Sequence, residues 1–229
     1  MKNAVISVAI DGPAGAGKTS LAKAVAKAAG LTYIDTGAMY RTTGLYMLRQ
    51  GIDLADAEGV SAALPTMPLR LHWDENGVQH VFLGDDEVSD RIREPDIASA
   101  GSAVSKIPAV REKLVALQQG LAKTQSVVME GRDIGTTVLP NAAIKLFVTA
   151  SPEVRARRRF LENQARGIPG SYEEVLAAQI ERDRNDSSRA CSPLRQADDA
   201  ILLDTSDMTF EAVLTKALSL IRSAGGKNA

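Results

Sequence analysis

The sequence has very little cysteine and no excess of charge of either sign. Cys191 is the single cysteine among 229 residues, which excludes an intrachain disulfide and a cluster of thiolate metal ligands. The 27 basic and 28 acidic residues give a net charge of −1, so no overall field favours nucleic acid or an anionic membrane. We therefore expect neither of these as a partner.

Long hydrophobic runs are also missing. The apolar runs have the length of strands, which excludes a transmembrane helix. The first residues, MKNAVISVAIDG, contain one lysine and no hydrophobic segment of the kind found in signal peptides, so we expect a first strand there and a cytoplasmic protein. The sequence shows no internal repeat, low-complexity tract or linker, and we expect residues 224–229 to form a frayed tail.

Short β-rich runs alternate with longer helical patterns, which is typical of a parallel sheet covered by helices. Strands are predicted at residues 4–10, 31–34, 126–130, 143–149 and 200–203, and helices at 18–29, 38–50, 108–123, 152–166, 172–185 and 209–223. Residues 69–97 break this alternation, because two β-rich runs flank Asn76-Gly77, a strong hairpin signal. A hairpin has no place within a parallel series, so residues 64–100 are interpreted as an insertion.

A glycine-rich segment after the first predicted strand indicates a phosphate-binding loop. Residues 12–19 match G-x-x-x-x-G-K-[ST] between a strand and a helix, the context that the motif requires. Glycines let backbone N–H groups converge on an anion, and the positive end of the next helix reinforces them. Lys18 is expected to reach the β- and γ-phosphates of a nucleoside triphosphate, and the Thr19 hydroxyl to coordinate Mg²⁺. The predicted nucleotide-binding residues are Gly12, Pro13, Ala14, Gly15, Ala16, Gly17, Lys18, Thr19 and Ser20.

The loop alone does not identify the reaction. The dipeptide Asn-Lys is absent from the sequence, and with it the N-K-x-D motif that binds guanine. An L-S-G-G-Q-like segment, typical of transporter ATPases, is also absent. The interpretation as a nucleotide hydrolase therefore lacks the motifs that usually support it. Three segments that combine arginine with a carboxylate indicate a site for an acceptor molecule instead. They are DTGAMYR at 35–41 and EGRDIGT at 130–136, which each follow a strand, and ERDRNDSSR at 181–189, which ends a helix. A bare phosphate needs only the cations, so the carboxylates suggest that a base or sugar is bound as well.

Arginine is concentrated in one part of the chain. Residues 150–195 contain nine arginines and no lysine, and the planar guanidinium matches phosphate oxygens better than an ammonium does. Seven acidic residues are interleaved with them. A solvated helix face with ion pairs is therefore the alternative, which we accept for Arg157 and Arg166. The same acidic residues disfavour a nucleic-acid-binding surface.

Together these motifs resemble bacterial-type cytidylate kinases, a branch of the nucleoside monophosphate kinase family of P-loop proteins. The resemblance extends over essentially the whole chain, through IDGPAGAGKTS, DTGAMYR, GDDEVSDRIREPDI, PAVREKL, EGRDIGTTVLP, RDRNDSSRACSPL and LDTSD. It implies an α/β P-loop three-layer fold with a five-stranded parallel sheet, an inserted monophosphate-binding subdomain with a small antiparallel sheet, and a short arginine-rich lid. The implied kinase core is 1–36 with 101–229, including a lid at about 155–172, and the implied monophosphate-binding region is 37–100.

The resemblance also implies the reaction, transfer of the γ-phosphoryl group of ATP to CMP or dCMP with Mg²⁺, by a protein expected to be a monomer. Cytosine would be bound by Ser102, Arg111 and Asp133, the sugar by Arg182 and Asp186, and the acceptor phosphate by Thr36, Arg41, Arg132 and Arg189. The catalytic set would be Lys18, Arg132, Arg158 and Arg189, and Arg155 and Arg159 would also lie in the lid. Glu130 would reach Mg²⁺ either directly or through water. Two alternatives remain. One is a kinase of UMP or of another small metabolite, and the other is a nucleotide-dependent switch or a nucleic-acid-binding protein whose arginines bind the phosphate backbone.

Overall fold

The computed structural model describes residues 5–189 and 191–225. The strands are β1 Ser7–Asp11, β2 Thr32–Asp35, β3 Leu69–Trp73, β4 Gln79–Leu83, β5 Asp86–Glu87, β6 Val127–Gly131, β7 Ile144–Thr149 and β8 Ile201–Asp204. The helices are α1 Lys18–Ala29, α2 Thr36–Arg49, α3 Ala57–Ala63, α4 Pro95–Val104, α5 Pro108–Thr124, α6 Pro152–Ala165, α7 Tyr172–Ser187 and α8 Phe210–Gly225. Of the predicted tail, residues 224–225 belong to α8 and residues 226–229 lie outside the described residues.

The predicted α/β fold is confirmed. A five-stranded sheet has the order β2-β6-β1-β7-β8, and a separate three-stranded sheet has the order β3-β4-β5. In the larger sheet, β1 pairs in parallel with β7, with Val8 opposite Ile144, and β7 pairs in parallel with β8. Along the chain, α1 follows β1, and α6 and α7 lie between β7 and β8, as the alternation of patterns predicts.

The described chain forms two compact units. The first unit comprises residues 1–31 and 128–229, and the second unit comprises residues 32–127. In the first unit, β1 is buried from Val8 to Asp11, and Ile10, Leu146 and Leu203 are almost fully inaccessible to solvent. Helix α1 buries Leu21 and Val25 at helical spacing.

The second unit contains the small antiparallel sheet and a separate hydrophobic core. The predicted hairpin is confirmed: β3 and β4 pair in antiparallel register, with His72 opposite His80, around a turn that contains Gly77 at φ 75°. The sheet also has a third strand, β5, which is too short at two residues to leave a pattern in the sequence. Met39, Met47 and Leu114 belong to the core of this unit.

Two helices of the second unit are absent from the sequence prediction. Helix α3 buries only Val60, so it has no apolar periodicity that could reveal it. The buried residues of helix α4 have the spacing i, i+3, i+4 and i+7; they are Ile97, Ala100, Gly101 and Val104. Ala100 and Gly101 are small, which weakens the apolar pattern in the sequence. No helix of the described residues is long and apolar enough to cross a membrane.

Candidate functional site

The phosphate loop connects the end of β1 to the start of α1. Gly12 has φ 146°, and a Cβ at this position would lie 1.9 Å from the carbonyl oxygen of Val148, so only glycine fits between the loop and strand β7. Gly17 adopts the left-handed conformation directly before Lys18, the first residue of α1. Thr19 and Ser20 are exposed in the first turn of the helix. The loop therefore opens to solvent at the positive end of α1.

Lys18 is the cation of this loop. Its Nζ donates a hydrogen bond to the carbonyl oxygen of Pro13 at 2.6 Å, and the residue is 6% exposed. Burial, followed by the positive charge of Arg132, lowers the pKa of Lys18 to about 7, while Glu130 and Asp11 act in the opposite direction. An anion bound at the loop would supply the negative charge that the buried ammonium lacks.

Asp11, at the end of β1, is a residue of the site that sequence reasoning missed. Its carboxylate accepts the backbone N–H groups of Ile134 and Gly135 at 2.8 and 2.7 Å. Burial raises the pKa of Asp11 to about 6, although these two hydrogen bonds oppose the shift. The segment EGRDIGT is thereby tied to the strand that leads into the phosphate loop. A carboxylate that ends an otherwise apolar strand is the signal that could have identified it.

The arginines predicted to bind the acceptor in the first unit surround one carboxylate. Asp186 is 1% exposed, Arg132 Nε donates to it at 2.7 Å, and an Arg189 guanidinium nitrogen donates to its other oxygen. Burial acts to raise the pKa of Asp186, but the charges of Arg132, Arg189 and Arg182 outweigh it and hold the pKa below its usual range. Three guanidinium groups and one carboxylate leave an excess of positive charge, which suits a phosphate.

Asp133 lies beside this cluster in the sequence and is itself buried, at 5% exposed. It precedes a single π-helical turn, Ile134–Val138, and its carbonyl oxygen accepts the Thr137 N–H at 2.9 Å. The π-helical turn is not predictable from the sequence, and turns of this kind occur at functional sites. Glu130, three residues earlier, ends the buried part of β6 and is 6% exposed.

The three arginines of the predicted lid differ in their surroundings. Arg155 is 3% exposed and forms hydrogen bonds with the carbonyl oxygens of Ala150 and Ala14 and with Asp183. Arg158 donates to the hydroxyl and the carbonyl oxygen of Thr205, at 3.2 and 2.8 Å. Arg159 forms an exposed ion pair with Glu162 on the same helix. Arg155 therefore contacts the phosphate loop itself.

In the second unit, the segment DTGAMYR forms the end of β2 and the first turns of α2. Asp35 caps the helix by accepting the Ala38 N–H at 2.9 Å, and its other oxygen accepts a hydrogen bond from Arg41 at 2.9 Å. Thr36, the first residue of α2, is buried at 3% exposed. The capping carboxylate thus fixes the direction of the Arg41 side chain.

The remaining predicted residues of this unit lie on α4 and α5. A Cβ on Gly101 would lie 2.9 Å from the Cα of Arg41, so α4 packs directly against α2 and places Ser102 in the same part of the unit. Arg111, on α5, is 5% exposed, and its guanidinium carbon lies 5.8 Å from the centre of the Tyr40 ring. The second unit therefore brings Arg41, Ser102 and Arg111 onto three helices that share one core.

The donor set of the first unit fits a magnesium ion that is held mainly by phosphates and water. Within the described ranges, no group of three or more His, Cys, Asp or Glu side chains is placed to hold a metal. Mg²⁺ commonly takes one or two protein oxygens and leaves its other positions to phosphates and waters. The exposed Thr19 hydroxyl and the buried Glu130 carboxylate are oxygen ligands of that type.

Comparison with solved structures supports the fold. The gluconokinase from Sinorhizobium meliloti 1021 superposes with a TM-score of 0.50 and 16% identity, over 97% of this chain and 95% of that chain. At this identity the likeness concerns the fold alone, and with the phosphate loop it gives the fold of P-loop kinases.

Sequence comparison gives the family. The "Cytidylate kinase" family model matches residues 8–223. A cytidylate kinase from Mycobacterium avium (strain 104) is 50% identical over 221 residues, which cover 96% of each chain. One from Pelotomaculum thermopropionicum is 48% identical over 97% of this chain and 98% of its own. The chain belongs to the cytidylate kinase family.

Proposed function

We propose that the protein transfers the γ-phosphoryl group of ATP to CMP or dCMP and releases ADP and CDP or dCDP. The observation that carries this proposal is the buried Lys18 of the phosphate loop. The positive charge of Arg132 is close enough to lower the pKa of Lys18, and Arg132 in turn donates a hydrogen bond to Asp186. The cation that we assign to the donor phosphates and two of the cations that we assign to the acceptor phosphate therefore belong to the same unit. Membership of the cytidylate kinase family supports the choice of acceptor.

The donor side is assigned to the loop 12–20 and the lid at 155–172. Backbone N–H groups of the loop would bind the phosphates of ATP, and Lys18 would neutralise charge on the β- and γ-phosphates. Thr19 would hold Mg²⁺, and Glu130 would reach the ion directly or through water. When bound, the metal supplies further positive charge to the phosphates. Arg158, which donates to Thr205 in this structure, is assigned to the lid as a further cation for the transferred group.

The acceptor side is assigned residue by residue within each unit. In the first unit, Arg132 and Arg189 would bind the phosphate of CMP, Arg182 and Asp186 the sugar, and Asp133 the base. In the second unit, whose region 37–100 we assign to monophosphate binding, the residues are Thr36 and Arg41 for the phosphate and Ser102 and Arg111 for cytosine. Cytosine presents an amino donor at N4, which a carboxylate accepts, and its O2 and N3 accept from serine and arginine.

The chemistry requires no general base from the protein. The attacking atom is an oxygen of the CMP phosphate, which is already ionised near neutral pH. Catalysis then consists of holding the two phosphates in line and neutralising the charge that the transition state spreads over the transferred group. The residues with this task are Lys18, Arg132, Arg158 and Arg189. We further propose that the protein acts as a cytoplasmic monomer on small molecules and does not bind nucleic acid.

The proposal is tested by measuring ADP release from Mg·ATP with CMP, dCMP, UMP, AMP, GMP or no acceptor. We expect ADP release to depend on CMP or dCMP. Lys18→Ala should lower turnover by orders of magnitude, whereas Lys27→Ala, an exposed lysine on the same helix, should not. Comparable release without an acceptor would contradict a kinase and favour a nucleotide-dependent switch, and preference for UMP would contradict the choice of cytosine.

A further inference from the structure

Two buried side chains converge on one carbonyl oxygen of the phosphate loop. Arg155 Nη1 and Gln179 Nε2 both donate hydrogen bonds to the carbonyl oxygen of Ala14, at 3.1 and 2.6 Å. Arg155 comes from α6 and is 3% exposed, and Gln179 comes from α7 and is 8% exposed. We call this pair of donors the Ala14 clamp. None of the reaction roles assigned above uses Gln179.

The Ala14 clamp determines the direction of the next backbone N–H group. The described chain has no cis peptide bonds, and in a trans peptide the C=O and the following N–H point in opposite directions. Donors that hold the Ala14 oxygen on one side therefore direct the Gly15 N–H to the other side. In a loop of this pattern, inward-facing N–H groups bind the phosphates.

The clamp is itself held in place by further contacts. The Asp183 carboxylate accepts hydrogen bonds from both terminal nitrogens of Arg155, at 3.1 and 2.6 Å. The Ala150 carbonyl oxygen accepts a hydrogen bond from Arg155 Nε at 2.8 Å. Asp183 lies one turn after Gln179 on α7, so both helices support the same group of contacts. The guanidinium of Arg155 is thus held by three partners, so it loses little rotational freedom when the phosphate loop binds a ligand.

We propose that Gln179, together with Arg155, is a positioning residue that orients the Ala14–Gly15 peptide for binding the phosphates of ATP. Gln179 does not touch the phosphates and acts through the loop backbone. This inference rests on the proposed function only in that the loop binds ATP, and it is independent of the acceptor. It predicts that Gln179 affects the affinity for the donor nucleotide and leaves the affinity for CMP unchanged.

The test compares two glutamines that each donate to a backbone carbonyl. Gln179→Leu removes one donor of the clamp. Gln196→Leu removes a bond of the same kind, from Gln196 Nε2 to the Ala200 carbonyl oxygen at 2.7 Å, outside the loop. The dissociation constants of MgADP and of CMP are measured separately by calorimetry, and melting temperatures are recorded. Loss of one hydrogen bond corresponds to an increase of about three- to tenfold in the dissociation constant of MgADP for Gln179→Leu, with no change for Gln196→Leu.

A second variant keeps the test decisive if Gln179→Leu is poorly folded. Gln179→Glu keeps the size of the side chain but turns an acceptor toward the Ala14 oxygen, so it should weaken MgADP binding more than leucine does. The inference is overturned if Gln179→Leu and Gln179→Glu bind MgADP as Gln196→Leu does, or if they weaken CMP to the same extent as MgADP. Failure of the wild-type protein to bind MgADP would instead contradict the proposed function, so the two failures are distinguishable.

Discussion

Asp11 gives a prediction whose sign and size follow from its burial. The carboxylate is 5% exposed and its pKa is raised from 3.8 to about 6. In this range the folded protein binds a proton more tightly than the unfolded chain, so stability is lost as the pH rises from about 4 to about 6. For these two pKa values, the free energy of unfolding falls by about 2 kcal/mol between pH 4.5 and 7 because of this one group.

Asp11→Asn removes the titration while keeping the shape of the side chain. The amide has one oxygen, which can accept a hydrogen bond from the N–H of Ile134 or of Gly135, and it turns an NH₂ group toward the other N–H. This mismatch lowers the free energy of unfolding by about 1–3 kcal/mol, an amount that does not depend on pH. This constant loss cancels when two pH values are compared. The free energy of unfolding of the wild type minus that of the variant should therefore be about 2 kcal/mol smaller at pH 7 than at pH 4.5.

Urea unfolding at the two pH values measures this difference directly. Asp207→Asn, the same change at an exposed carboxylate, is the matched control and should run parallel to the wild type. Equal pH dependence of the wild type and Asp11→Asn would contradict this prediction, because it would mean that the Asp11 carboxylate has the same proton affinity in the folded and unfolded states.

Three further predictions concern the site itself. Replacing Arg41, Arg132 or Arg189 by lysine should lower the kcat/KM of the enzyme at least about tenfold, because a flexible ammonium cannot reproduce the two-bond contact of a guanidinium with the acceptor phosphate. The control is Arg157→Lys, at an exposed position, which should leave kcat/KM unchanged. Wild-type kinetics in all three would assign them to ion pairs of the fold. Asp133→Asn should lower the ratio of kcat/KM for CMP over UMP by about ten- to a hundredfold, since an amide can donate to the O4 of uracil, and an equal fall for both substrates would assign Asp133 to the metal or the fold. Gly12→Ala should yield little folded protein in a solubility and circular dichroism assay, because its Cβ would lie 1.9 Å from the Val148 oxygen, and a folded variant that binds MgADP normally would contradict that packing.

The parts of the fold that sequence reasoning predicted are those with local signals. The phosphate loop has its glycines and Lys18 within eight residues, helix α1 is confirmed at residues 18–29, and the hairpin around Asn76-Gly77 is confirmed as β3 and β4. Each of these signals depends on backbone preferences or on a periodic apolar face within a short window.

The contacts that sequence reasoning missed join residues that are far apart in the chain. Asp11 is bound to Ile134, 123 positions away, and Gln179 is bound to Ala14, 165 positions away. Both side chains are polar and buried, and only the tertiary structure shows which backbone groups they satisfy. The surroundings of Arg155, whose bonds are to Ala14, Ala150 and Asp183, could not be inferred from its place in a run of arginines for the same reason.

Phosphoryl transfer from ATP to CMP is best tested by following the phosphoryl group itself. The protein is incubated with ATP labelled at the γ-phosphate, Mg²⁺ and CMP, and the products are separated. We expect the label to appear in the β-phosphate of CDP, in an amount equal to the ADP formed. Lys18→Ala should lower this transfer by orders of magnitude. Label recovered as inorganic phosphate, with CMP unchanged, would contradict phosphoryl transfer to CMP.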